Sequence, residues 1–375
     1  MPTTSRNIAQ PGLRWEKGLF SSRPEWTVEP SFDIIQKLSI RHRGLENENT
    51  DSYKIEFFAE VPRVVHFDSD LKNELGSEWI LMERLDGQPL REKWHDFSWL
   101  PKGLLVMQIA DFVAQLSRVQ FRGIGSLFFT DSSLDGDAHS TSSPTYQVSK
   151  AVLPHFFIDD HIQLPNSRGP FKYSHDLVAA HMVHLQHDIT KDEDEQEDGV
   201  GMQETLAQLS PVLPRLFPPT TTNELIFLSH RDLSLNNILV DTSGAIVGIV
   251  DWESTIAAPS WLAFSLLQFL TGGSPACPDL PPVEDDDDEV QEFYREKLLK
   301  YETAQLRKFF LEEMGRIQPG WKKVFEQEST RRDVMLAMDL TSMCMSTNAV
   351  RGWIGALRVE REPRVSLTDV NRGAV

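Results

Sequence analysis

The chain has almost no cysteine, no long apolar run, and too few basic residues to balance its acids. Cys277 and Cys344 are the only two cysteines in 375 residues, which excludes a disulfide framework and a cysteine-based zinc site. The most apolar stretch, Trp261 to Leu270, contains Ser265 and Gln268 and is too short to span a bilayer. The opening MPTTSRNIAQPGLRW holds no apolar core of a secretory leader, so the cytosol is the expected compartment. Lys and Arg number 37 against 56 Asp and Glu, a formal net charge of −19. That sign argues against nucleic acid and against an anionic membrane surface as partners. The hydrophobic content of 40% is ordinary for a globular protein, and the length suits one bilobal domain or two smaller ones. Nothing in the sequence sets an oligomeric state.

One stretch organises the rest: LIFLSHRDLSLNNILVDTSGAIVGIVDWE, from Leu225 to Glu253. Leu225 to Leu228 reads as a short buried strand. His230, Arg231 and Asp232 follow, and Asn237 lies five residues beyond the aspartate. Ile238 to Val240 predicts a second strand, and Asp241 to Gly244 a turn with Gly244 suited to a left-handed position. Ala245 to Val250 predicts a third strand, ending on Asp251-Trp252-Glu253. A hairpin turning at Thr242-Ser243 pairs residues whose numbers sum to about 485, which sets Asn237 opposite Gly248. An acid, an amide and a second acid then converge at one end of a small sheet. Asp and Asn oxygens are hard ligands suited to Mg²⁺, and Asp232 is placed to accept a proton from a hydroxyl. Phosphoryl transfer needs these parts. A polar hairpin with a capped turn would use the same residues without chemistry. A metallo-phosphoesterase would need more histidines than His230.

His230-Arg231-Asp232-Leu233 with Asn237 resembles the kinase catalytic loop. Asp251-Trp252-Glu253, with Ile238-Leu239-Val240-Asp241 before it, resembles the aminoglycoside phosphotransferase and choline kinase branch of the kinase-like fold. More narrowly, it is similar to fungal proteins named for an aminoglycoside phosphotransferase domain. In that branch the residue after the histidine is often Gly or Asp, so Arg231 departs from it. The resemblance implies an α+β, protein-kinase-like bilobal fold. It also implies transfer of the ATP γ-phosphate to the hydroxyl of a small-molecule acceptor. Asp232 would be the catalytic base and His230 a brace for its loop. Asn237 and Asp251 would hold Mg²⁺, with Glu253 an acid close by. ATP would lie against Met82, Glu83 and Leu85 at the hinge and against Leu239. The family label names no acceptor, since related proteins act on choline, sugars and other metabolites.

The N-terminal part departs from that pattern. Residues 1–30 read as an extended arm, Ser31 as the N-cap of a helix through about Arg41, and Tyr53 to Glu60 as a strand. The resembling proteins continue into a glycine-containing turn, two more strands with an ATP-binding lysine, and a helix carrying its glutamate partner. Here Glu60 runs directly into Val61 to Asp68, which is similar to the segment after that helix. The skipped elements would need roughly 40 residues at average lengths. Lys54 lies on the expected strand, and Lys37 and Lys72 lie outside a matching context. The expectation is a truncated small β lobe and hinge over 31–86, a mainly helical lobe over 87–360 and a disordered tail over 361–375. Two functional readings follow. One is an ATP-dependent small-molecule kinase. The other is a catalytically impaired kinase-like binding or scaffold protein, or an exon-skipped form, lacking the ATP-binding lysine and glycine-rich loop.

Several elements complete the expectation. Trp79 to Met82 predicts a buried strand, followed by the hinge Glu83 to Leu90. Lys102 to Phe121 predicts a helix burying Leu105, Ile109, Phe112, Val113 and Leu116. Residues 130–150 predict a surface loop. A helix from Ser174 through about His187 puts His181, His184 and His187 on one face, read as surface or satisfied polar groups rather than metal ligands. The acidic runs Lys191 to Asp198 and Glu284 to Glu289 predict solvated loops. A helix from about Glu204 should be cut by Pro211 and Pro214. An apolar helix is expected from Trp261, with further helices over 290–315 and 328–350.

Overall fold

The computed structural model describes residues 13–17, 22–26, 34, 37, 61–129, 146–157, 160–191, 198–219, 224–278, 288–342, 348–359 and 366–367. The expected strand Tyr53 to Glu60 lies outside the described residues, as do 130–145, 192–197 and 284–287 of the expected loops. Of the helix expected over 31–41, only Ile34 and Lys37 are described, and both are helical. Contacts divide the chain into two units: Met1–Leu85 with Thr130–Thr145, and Asp86–Phe129 with Tyr146–Val375.

In the first unit, β1 (Leu13–Lys17) pairs antiparallel with β2 (Ser22–Trp26). Strand β3 (Val64–Asp68) pairs antiparallel with β4 (Trp79–Met82). The Asn73 side chain fixes the connection. Its Oδ1 accepts the N–H groups of Leu75 and Gly76, and its Nδ2 donates to the Ser77 carbonyl. Strand β4 forms where the sequence places it, but it is not buried: Ile80 is 62% and Met82 44% exposed. Alternation turns Trp79 and Leu81 to one face and leaves Ile80 and Met82 on the other.

The second unit is mainly helical. Helix α1 (Trp99–Leu116) buries Leu105, Ile109, Phe112 and Leu116 at helical spacing, with Val113 half-buried. It packs along the long α6 (Asp288–Ile317), where the buried Lys102 ammonium meets Glu302 at 2.8 Å. Helices α2 (Ser174–Lys191), α3 (Asp198–Leu209) and α4 (Leu213–Leu216) follow one another, and α3 stops short of Pro211. Helices α7 (Pro319–Gln327), α8 (Ser329–Ser342) and α9 (Asn348–Arg358) close the chain. The core joins Leu177 and Leu185 of α2, Met338 of α8 and Ile354 of α9, all fully buried. Each such side chain contributes about 1.5–3 kcal/mol over leaving it in water.

The strands of this unit are short. β5 (Gln88–Pro89) pairs with β9 (Ile238–Val240), which pairs with β10 (Ile246–Ile249). β6 (Leu127–Phe129) pairs with β7 (Tyr146–Val148), so the expected surface loop over 130–150 ends in a strand. β8 (Ile226–Ser229) pairs with β11 (Ile256–Pro259), not with the hairpin.

Three expectations are corrected at this level. The apolar helix from Trp261 is a single turn, α5 (Ser260–Ala263), preceded by β11. Pairing with β8 takes Ile256–Pro259 into a strand, and tertiary pairing overrides the local apolar pattern. The helix expected over 328–350 is two helices, α8 and α9, and the preceding α7 was not foreseen. The tail is not disordered at Leu367, which is fully buried and donates its N–H to Asp333 at 3.0 Å.

Candidate functional site

The β9–β10 hairpin builds one wall of the site. Asp241 closes its turn: Oδ1 accepts from Ser243 N–H, Ser243 Oγ and Ala245 N–H. Gly244 takes φ 86°, a left-handed conformation that costs a glycine least. The closing pair is therefore Asp241 with Ala245, joined by a 2.9 Å backbone bond. An irregularity between Ile246 and Gly248 then shifts the register once more, so Gly248 faces Leu239 rather than Asn237. Asn237 instead accepts the Val250 N–H at 2.9 Å. The shift brings the amide to the residue before Asp251.

Asp251 is exposed and takes φ 65°, the one non-glycine residue with positive φ among the described residues. A side chain in that region is held at a cost of about 1–3 kcal/mol. Asn237 is buried, and its Nδ2 donates to the Asp232 carbonyl at 2.9 Å, to Asp232 Oδ2 at 2.9 Å and to Asp251 Oδ2 at 3.3 Å. One amide thus ties the two carboxylates together. The donor set suits Mg²⁺, which prefers carboxylate and amide oxygens. Asn237 presents nitrogen to both acids here; only with the amide turned over about its last side-chain bond would its Oδ1 face the same side as the two carboxylates.

His230 is buried and packs edge-on to Trp252, centroids 4.8 Å apart. Its Nε2 lies 3.0 Å from the Val250 carbonyl, which only accepts, so Nε2 carries the proton. Burial lowers its pKa, outweighing the Val250 bond and the nearby acids, and it is neutral at pH 7. It fastens the Asp232 loop to the residue before Asp251. Glu253 is exposed. Leu239 is half-buried on β9. Met82, Glu83 and Leu85 belong to the first unit, where the Glu83 N–H donates to the Arg63 carbonyl at 2.9 Å.

Beside Asp232 lies a cavity of about 780 Å³ walled by α1, the β8 loop, α5, α6, α7 and α8. Arg231, Asp232, Arg332 and Asp339 line it. Asp339 was not legible as a site residue: it comes from α8, more than a hundred positions from Asp232. Burial pushes its carboxyl up to about 6, against the pull of Arg231.

The helical histidines are not surface groups. His181 and His184 are fully buried on α2, and His155 stacks on His181 at 3.9 Å with an interplanar angle of 7°. His184 Nε2 accepts from Asn166 at 2.9 Å, whereas both His181 nitrogens lack a hydrogen bond among the described residues. Ligand atoms of His155, His181 and Asp339 lie within 4.8 Å of one another. Parallel stacked rings cannot aim their in-plane lone pairs at one ion, so this arrangement is not a tetrahedral metal site.

A histidine-braced acid, an amide and a second acid after the hairpin that follows are laid out as in the kinase-like class of folds. Residues 54–261 match the model of APH, the phosphotransferase enzyme family, over more than half of the chain. The chain belongs to that family. Two similar proteins are fungal. Altered inheritance of mitochondria protein 9, mitochondrial, of Candida tropicalis is 38% identical over 87 residues, 22% of this chain and 14% of that protein. A subtelomeric hrmA-associated cluster protein of Aspergillus fumigatus is 22% identical over 274 residues, 61% of this chain and 53% of that protein. The chain thus spans about half or less of the length of these relatives. The solved streptomycin-ATP-APH(2")-IIa ternary complex is 16% identical, covers 89% of this chain and 86% of that one, and superposes with a TM-score of 0.33. The gentamicin-APH(2")-IIa complex gives 17% identity, 90% and 92% coverage, and 0.31. Superpositions at that level carry no weight, and the family match alone makes the assignment.

Proposed function

We propose that this protein transfers the γ-phosphoryl group of ATP to a hydroxyl of a small molecule. The observation that carries the reading is the Asn237 amide bridging Asp232 and Asp251. The acceptor lies in the cavity beside Asp232. Its oxygen attacks the γ-phosphorus, the bond to the β–γ bridging oxygen breaks, and ADP leaves. Asp232 takes the hydroxyl proton. His230, neutral and fixed to the Val250 carbonyl, positions the loop without entering the chemistry. Asn237 and Asp251 would hold Mg²⁺, which when bound neutralises charge on the phosphates. Met82, Glu83, Leu85 and Leu239 are the adenine-side residues in this reading, and the reaction belongs to the cytosol.

A second reading rests on the sequence between Lys54 and Leu75, which holds no glycine-rich loop and no lysine in the expected context. Those groups normally cradle nucleotide phosphates. Under that reading the small lobe is truncated and the protein binds without turnover.

Asp232→Asn separates the two. For an enzyme the variant still binds Mg-ATP, while the rate of acceptor-dependent ADP release falls by about 10²–10⁴. A rate unchanged by the substitution would remove Asp232 from the role of base.

A further inference from the structure

Arg231 sits between the bracing histidine and the base, and the transfer chemistry leaves it without a role. It lines the cavity that Asp232 also lines. Arg231 is exposed. Among the described residues its guanidinium makes no hydrogen bond and no ion pair; the Asp339 carboxylate acts on it electrostatically. Asp339 is turned to His181, whose Nε2 is 3.8 Å from Oδ1.

The other arginines of the cavity are engaged. Arg332 donates to the carbonyl oxygens of Phe325 and Trp261 and lies over the Phe325 ring at 4.4 Å. Arg307 has a partner of its own. The acids are engaged too: Asp333 accepts the Leu367 N–H, and Asp232 accepts from Asn237. Arg231 is therefore an exposed cation on the cavity wall whose five N–H donors have no hydrogen-bond partner among the described residues. A planar fork of this kind is matched by an oxyanion that accepts two N–H bonds at once.

We propose that Arg231 is a specificity residue that receives a carboxylate or phosphate group of the acceptor, placing its hydroxyl beside Asp232. The acceptor is then an anionic hydroxy compound, not a polycationic one. The inference rests on the phosphotransferase reading for the word acceptor, but anion binding at Arg231 can be measured without turnover.

The test is calorimetry on the full chain with D-glycerate, glycerol 3-phosphate and choline as probes, each with and without saturating Mg-ADP. The Mg-ADP arm keeps anions out of the nucleotide phosphate site. Binding of glycerate or glycerol phosphate, weakened about 10- to 100-fold in Arg231→Gln, is the expected result. The stronger of the two anions tells carboxylate from phosphate. Arg231→Lys keeps the charge without the fork, so it restores binding in part, and its melting temperature guards against misfolding of the Gln variant. Three results would overturn the proposal: no binding of either anion to folded wild type, binding indifferent to Arg231→Gln, or choline as the only ligand. Failure of Mg-ADP to bind would instead sink the phosphotransferase reading, and the nucleotide-free arm would still report on Arg231.

Discussion

His181 and His184 are neutral at pH 7 because the protein around them leaves no solvent to hold a charge. Burial, and then the neighbouring histidines, take His181 down to about 3 and His184 to about 4. His155 is lowered as well, first by burial and then by His181. The unfolded chain protonates these rings near 6.5, and the native chain does not. Between about pH 4 and 6.5 the unfolded state thus binds more protons, and stability falls as pH falls. Asp339 works the other way. Its carboxyl, raised to about 6, keeps a proton in the native state that the unfolded state has lost, so it adds stability as pH falls from 6 to 4. His161 is also raised: its bond to Asp188 and its bond to the His155 carbonyl outweigh burial. It favours the folded state at low pH and loses that contribution as pH rises. The three depressed rings outnumber these opposing groups. Urea unfolding at pH 7.5 and pH 5 should show stability falling by about 1–3 kcal/mol per pH unit at its steepest. His181→Gln should flatten the slope. A slope unchanged by that substitution would mean that the α2 histidines are solvated.

At the scale of elements, β6, β7 and β11 meet at Gly125. Its N–H donates to the Ala257 carbonyl at 3.0 Å, and its carbonyl accepts the Ala257 N–H at 2.8 Å. A Cβ at this position would overlap the Ser149 carbonyl oxygen, a backbone atom that cannot swing aside. Gly125→Ala should cost about 1–3 kcal/mol or more, read as a drop in the denaturant midpoint. A midpoint equal to wild type would show that the Ser149 segment moves freely. The elements differ in how much of them the sequence discloses. The β9–β10 hairpin was legible, since Gly244 and the flanking apolar triplets are local signals. Its register was not, because the irregularity near Val247 follows from no composition rule. The split of Ile256–Ala263 into strand and single turn depends on β8, which only the folded chain brings alongside. The burial of α2's histidines was equally hidden: His155, Asn166 and Asp339 come from three distant segments. Arg231 was visible as a departure from the family pattern, but its cavity was not.

At the scale of the molecule, the family match covers residues 54–261 and the helices beyond it complete the walls of the cavity. Asp251, held at positive φ by the turn after β10, is the group on which nucleotide binding depends in this account. The decisive question is whether the 375-residue chain uses it. Calorimetric titration of Mg-ATP into wild type and Asp251→Ala answers it most directly. Saturable binding that needs Mg²⁺ and is lost in Asp251→Ala, with the melting temperature kept, is the predicted result. Binding of equal strength in the variant, or no binding to well-folded wild type, would contradict the assignment of Asp251 and with it the phosphotransferase reading.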